Sequence, residues 1–347
     1  MTAARARRPR RREVLFAAGV ALAVLVAAEV FLRLVPIGRE PYEAFYDDIY
    51  DLSYAMVPGA SNPYSSIREA LNVHGFRGAA YAEAKPAGTF RVLAMGDSCT
   101  FGFGVADDEA WPAVLEKRLN ASGRFVPVQV INGAVPGTTL FQHLMVFRSR
   151  LARFRPDLVI DWSAPNWNPS IKLFRDRMKD PPFYVTLQRP LRRLALYRLL
   201  QKAIKKGPTE KAFYESYHAP RESMADAELR EVNEGYLNDY AADLEDLRAL
   251  SREGGFDLVF TNYPSREAVA DRSLAPPRYD SPHMTALDAF CRRHGYPLLD
   301  LIAAERAAPA GADLFLDTVH PTPQGHALIA EVVERALVAA GKVPTKR

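Results

Sequence analysis

Phe90-Arg91-Val92-Leu93-Ala94-Met95-Gly96-Asp97-Ser98 is a short apolar run that stops at a glycine, an aspartate and a serine. Its length and its ending match a buried strand that runs into a tight turn. Four similar runs follow, at Val126 to Ile131, Leu158 to Trp162, Leu258 to Thr261 and Pro297 to Leu301. Between and after them, apolar residues recur at helical spacing in Ala113 to Leu119, Leu140 to Arg153, Tyr236 to Arg252, Thr285 to His294 and Pro323 to Ala340. Strand and helix in alternation predict a three-layer α/β/α domain whose mainly parallel five-stranded sheet is covered on both faces. Such sheets place ligands beyond the carboxyl ends of their strands, which is where Ser98 falls.

Outward from this core the chain changes character. The 347 residues are 48% hydrophobic and 25% charged, an ordinary globular composition. Six arginines lie within the first twelve residues, and without them 39 basic residues face 41 acidic ones. The body therefore lacks the basic surplus of a nucleic-acid binder. Two cysteines, with no C-x-x-C pair and no H-E-x-x-H run, predict neither a disulfide scaffold nor a zinc site of standard spacing. No G-x-G-x-x-G or G-K-[ST] loop follows the first strand, so no nucleotide cofactor is expected.

After the arginines, Val14 to Ala28 carries no charge, and the apolar character continues past Glu29 to Leu32. A helix through Leu32 would be about 28 Å long, close to the ~30 Å hydrocarbon thickness. The run reads as a transmembrane anchor, with removal as a signal peptide after Val26-Ala27-Ala28 as the alternative. Either way the arginines stay inside and the rest of the chain is exported. The expected layout is a basic cytoplasmic tail (1–13), an anchor (14–35), a linker that wraps onto the domain (36–88) and the domain itself (89–342). A helical insertion is expected at about 169–232. Within it, Leu191, Leu194, Tyr197, Leu200 and Ile204 alternate with Arg192, Arg193, Arg198, Lys202, Lys205 and Lys206. That pattern suits a helix packed on the domain with a solvated basic face, or a surface that touches anionic lipid or glycan.

Ser98, exposed at a strand-to-loop turn, is a candidate nucleophile, although Gly, Asp and Ser are also plain turn residues. A serine nucleophile needs an imidazole to take its proton and a carboxylate to orient that imidazole. Asp317-Thr318-Val319-His320-Pro321 supplies both groups three residues apart, just before a helix opened by Thr322 and Pro323. Cys99, beside the serine, raises the alternative of a thiol enzyme. His74, His143, His218, His283, His294 and His326 show no pairing in sequence and read as surface or loop residues, with His326 following Gly325 in the C-terminal helix.

These residues resemble the SGNH/GDSL hydrolases. Gly96-Asp97-Ser98 matches the block that carries the family's nucleophilic serine, and Asp317-x-x-His320-Pro321 matches its last block. Asn132-Gly133-Ala134-Val135-Pro136-Gly137 is similar to the glycine block, and its placement points to Gly137. Ala164-Pro165-Asn166-Trp167 stands where the family has Gly-x-Asn-Asp, so Asn166 keeps the asparagine while alanine and tryptophan replace its neighbours. Asn168 is the other candidate for that place. The resemblance, over roughly Phe90 to Ala340, implies a flavodoxin-like fold and catalysis by Ser98, His320 and Asp317. It further implies an oxyanion hole of the Ser98 and Gly137 amides and the Asn166 side chain, with no metal and no cofactor. Cys99 takes the position of a packed small residue in the family. Asn72-Val73-His74-Gly75-Phe76-Arg77-Gly78 resembles a stretch that precedes the domain in membrane-anchored members, and no chemistry is assigned to it.

The expected activity is hydrolysis of an acyl ester, acetyl included, on a glycan or lipid outside the cytoplasm. Acyl transfer to a cell-surface polysaccharide would use the same residues. Glycan binding without catalysis on an inherited fold is the third reading.

Overall fold

The computed structural model describes residues 11–35, 46–50, 53–61, 70–162, 166, 191, 194–204, 226–275, 281–309 and 311–346. In chain order its elements are α1 (Arg11–Leu34), β1 (Tyr46–Tyr50), β2 (Ser53–Met56), β3 (Phe90–Gly96), α2 (Ser98–Phe101), α3 (Trp111–Ala121), β4 (Val128–Asn132) and α4 (Leu140–Val146). They continue with β5 (Leu158–Trp162), α5 (Ala195–Ile204), α6 (Asp226–Gly254), β6 (Asp257–Thr261) and α7 (Arg266–Ala270). The last are α8 (Pro282–His294), β7 (Leu298–Leu299), α9 (Leu301–Arg306) and α10 (Pro323–Ala339). The chain divides into two compact units, one of Met1–Glu40 with Met178–Pro220 and one of Pro41–Arg177 with Arg221–Arg347.

In the larger unit the five expected strands form one parallel sheet, in the order β4-β3-β5-β6-β7. Alternate residues of each strand enter separate cores. Leu93, Met95, Ile131, Val159, Leu258 and Phe260 pack on one face with residues of α4, α6 and α8. Val92, Ala94, Val130, Leu158, Ile160 and Val259 pack on the other with residues of α3 and α10. Burial on both faces explains why the strands read as mainly apolar runs rather than as alternating ones, and it yields the three-layer α/β/α domain. The strand order reverses between β3 and β5, which opens a crevice at their carboxyl ends.

The boundaries depart from expectation for identifiable reasons. The second run begins its ladder at Val128, because Pro127 has no N–H to donate. The fifth shrinks to Leu298–Leu299, because Asp300 leaves the sheet to cap α9 through the Ala303 amide at 2.9 Å. The helix expected over Leu140 to Arg153 is α-helical only to Val146, then continues as a π turn (Phe147–Leu151) and a 3-10 turn (Ala152–Phe154). This change of pitch keeps Phe147, Leu151 and Phe154 all buried ahead of Pro156. The stretch expected to be linker contains the antiparallel pair β1–β2, and Met56, Leu71 and Phe76 enter the core.

In the smaller unit α1 is a 24-residue helix without a buried residue, long and apolar enough to cross a membrane. A signal sequence has the same character. Most of the expected insertion, including Arg192, Arg193, Lys205 and Lys206, lies outside the described residues.

Candidate active site

β3 must come close to β5 at its end, and Gly96 permits it. A Cβ there would collide with Thr100 Oγ1 and sit 2.6 Å from the Trp162 carbonyl. Asp97, fully buried, caps α2 by accepting the Cys99 amide at 3.0 Å. Ser98 is the first residue of that one-turn helix, so its own N–H has no intrahelical acceptor.

The second half of the site arrives from before α10. One oxygen of Asp317 accepts the Val319 and His320 amides, each at 2.9 Å, and the other accepts His320 Nδ1–H at 2.6 Å. Burial pushes the Asp317 carboxyl up, but these hydrogen bonds outweigh it and hold the group below its ordinary value. Ionised Asp317 thereby sets the tautomer and leaves Nε2 as an acceptor, 2.8 Å from Ser98 Oγ. Phe103 packs against the imidazole with its ring centre 5.0 Å away. The structure thus brings Ser98, His320 and Asp317 into one hydrogen-bonded series at the carboxyl end of β3.

Gly137 and Asn166 reach the same region. The loop after β4 is tied down by Gly133 N–H to the Ala94 carbonyl and Val135 N–H to the Gly96 carbonyl, both at 3.0 Å. Gly137 turns through φ +71°, which a side chain would strain. Asn166 Nδ2 donates to Asp97 Oδ2 at 2.7 Å and to the Thr138 carbonyl at 3.2 Å. Asn168 and Trp167 lie outside the described residues.

Cys99 is fully buried, with Sγ 3.6 Å from Tyr263 Oη and 3.4 Å from the Val319 carbonyl. Burial, with the nearby Asp97 charge, drives its thiol well above the ordinary range, so no thiolate is available. Burial also pushes the Asp97 carboxyl up to about 6, although the Cys99 amide, Asn166 and His320 each pull it down.

Several supporting residues were not anticipated. Arg77, its side chain fully buried, donates to the carbonyls of Phe101, Gly102 and Val105 and pairs with Asp107 at 2.9 Å. It thereby holds the far end of the turn that begins at Ser98. Asn132 Nδ2 donates to the Thr100 and Phe101 carbonyls at 3.1 and 3.2 Å. Arg266 donates to the carbonyls of Asp317 (2.9 Å) and Phe315 (2.5 Å), fixing the loop that carries the carboxylate.

Three histidines expected on the surface are buried instead. His143 bonds Thr138 Oγ1 at 2.8 Å, His283 Nδ1 meets Tyr236 Oη at 3.0 Å, and His326 Nδ1 accepts the Trp111 amide at 3.2 Å. Burial pushes His143 down to about 3 and, together with the charges of Arg77 and His320, His326 to about 3, so both are neutral. His294, mostly covered, pairs with Glu245 at 2.8 Å. Helical spacing was the available signal for His326, which precedes Ile329 by three positions and Val333 by seven.

No family model matches the chain, and no curated protein does. Among solved structures it is similar to an acetylxylan esterase from Geobacillus stearothermophilus, 16% identical with a TM-score of 0.44 over 71% of this chain and 93% of that one. A lipolytic protein of the G-D-S-L family from Desulfitobacterium hafniense is 14% identical, TM-score 0.42, over 71% and 99%. A lipase/acylhydrolase from Enterococcus faecalis is 14% identical, TM-score 0.41, over 74% and 99%. Likeness at these values carries no argument about activity. What the site can do follows from its own groups: a hydroxyl, an imidazole and a carboxylate in series.

Proposed function

We propose that this chain is a serine esterase of the SGNH/GDSL type, held to a membrane by α1 and acting on acyl esters outside the cytoplasm. The observation that carries the reading is the series Ser98 Oγ, His320 Nε2, His320 Nδ1, Asp317 Oδ2, with links of 2.8 and 2.6 Å. Ser98 attacks the ester carbonyl while its proton passes to His320 Nε2. Asp317 stays ionised and stabilises the imidazolium that forms. The oxyanion is met by the Ser98 and Gly137 amides and by Asn166, whose second Nδ2 hydrogen leaves the 3.2 Å Thr138 contact for it. His320 then gives its proton to the departing alkoxide. Water, activated by the same imidazole, releases the acid from Ser98.

The test is turnover of short-chain aryl acetates by the full chain in detergent, with and without an oligosaccharide acceptor. Release of acetate that disappears in Ser98→Ala supports the esterase. Mass analysis showing acylated oligosaccharide as the main product would replace hydrolysis by transfer. No acyl-enzyme and no turnover with any ester would sink the reading.

A further inference from the structure

Glu29 stands five residues before the end of α1, the one charged residue between Val14 and Leu32. Its two oxygens accept the first backbone amides of α5, Ala195 N–H at 3.0 Å and Leu196 N–H at 2.9 Å. Arg33, one turn further on, donates to the same carboxylate at 2.6 Å. The first amides of a helix have no partner of their own, and a carboxylate suits the positive end of the helix dipole. Glu29 therefore joins a residue of the apolar helix to a helix that begins 166 positions later.

The position of that joint is informative. With Arg11 at the inner face, Glu29 lies about 27 Å further along the helix, near the far side of a ~30 Å hydrocarbon layer. The start of α5 is thus set at headgroup depth. Leu191, Leu194 and Leu200 remain 42%, 40% and 52% exposed there, beside a helix that has no buried residue of its own. Between residues 181 and 209 the chain carries seven basic residues and no acidic one. Exposed leucines, a dense positive charge and a hydrogen-bonded joint to an apolar helix suit a helix that lies in a membrane interface.

From this juxtaposition we propose that α5 lies in the membrane interface on the exported side, clamped to the anchor by Glu29 and drawn to anionic phospholipid headgroups by the net positive charge of its stretch of sequence. The element follows the anchor reading of α1 and is independent of the esterase chemistry. The exposed leucines enter the acyl boundary, and the positive charge of the stretch attracts headgroup phosphates.

The test uses the full chain carrying Leu200→Cys labelled with an environment-sensitive NBD group. Cys99 and Cys291 are buried and do not compete for the label. In vesicles of phosphatidylcholine with phosphatidylglycerol, NBD emission shifts to the blue and is quenched by lipids spin-labelled near the headgroup. In phosphatidylcholine alone, or after Lys202→Glu, Lys205→Glu and Lys206→Glu together, the quenching falls severalfold. A protein that resists carbonate extraction yet keeps water-like NBD emission would overturn the interfacial helix while sparing the anchor. A blue shift equal in both lipids and indifferent to the charge reversal would also overturn it, since the helix would then be packing on protein. Release of the chain by carbonate would remove the anchor, and the proposal with it.

Discussion

Asn166 and Asp97, 69 residues apart, share a 2.7 Å hydrogen bond that joins the end of β5 to the residue before Ser98. The asparagine is therefore oriented by a buried carboxylate as well as by the Thr138 carbonyl. In the proposed mechanism Asn166 is one oxyanion donor, and Asn166→Ala should then reduce kcat by about 10²–10³-fold. Asp97→Asn should approach the same loss, because an amide nitrogen would then face the Asn166 nitrogen. Fluorophosphonate labelling of Ser98 measured beside kcat checks this: wild-type turnover in Asp97→Asn would show that the bond does not position Asn166.

Ser98→Ala should abolish turnover and labelling alike. Cys99→Ala should leave both within a few fold, because the buried thiol lies outside the proton path. His320→Ala should be nearly dead, since members of such a series fail as a unit. Asp317→Asn should be severe but less complete, as it disturbs the tautomer while keeping the imidazole. Full activity in Ser98→Ala with loss in Cys99→Ala would reverse the assignment of the nucleophile.

Arg77→Lys is not a mild change at a site where one guanidinium serves three carbonyls and Asp107. An ammonium cannot reach all of them, which leaves buried acceptors unpaired at about 1–3 kcal/mol each. Thermal unfolding should show a Tm lower by several degrees. Well below that Tm, kcat should fall with little change in KM, because Arg77 holds the Ser98 turn and touches no substrate. A lowered Tm with unchanged kcat would restrict Arg77 to stability.

Glu305 is buried, with both carboxylate oxygens lacking a hydrogen-bond partner among the described residues. Burial pushes its carboxyl up to about 8. Between the ordinary 4.5 and that value, the folded chain holds a proton that the unfolded chain releases, so this group lowers stability as pH rises through the window. The effect approaches about 1.4 kcal/mol per pH unit. In Glu305→Gln that dependence disappears, and the variant's Tm advantage should widen steadily from pH 5 to pH 8. A constant Tm difference across the range would show that Glu305 is solvated or paired.

The sheet and the central series were legible because each rests on local patterns. Leu158 to Ile160 is apolar throughout since both faces of the strand are buried, and Ser98 and His320 each stand where such a run, or a helix cap, breaks off. Asn166 was reachable through its distance from the third strand. Arg77, Asn132 and Arg266 were not, because they bond to backbone carbonyls, which every sequence offers alike. His143 was misread for a similar reason: its partner, Thr138, becomes a partner only once the loop has folded. The partner of Glu29 was not legible either, because it is a backbone amide 166 residues away.

Ser98 and His320 are separated by 222 residues. At about 5–20 residues per second, a ribosome needs roughly ten to forty seconds to pass from one to the other. For that interval the emerging chain carries its serine without a base, and a chain cut short anywhere before His320 carries it permanently so. An enzyme that handles acyl groups would thus be inert along the whole route of its synthesis. It would gain the capacity to acylate itself or its surroundings only when its final segment closes against its first strand.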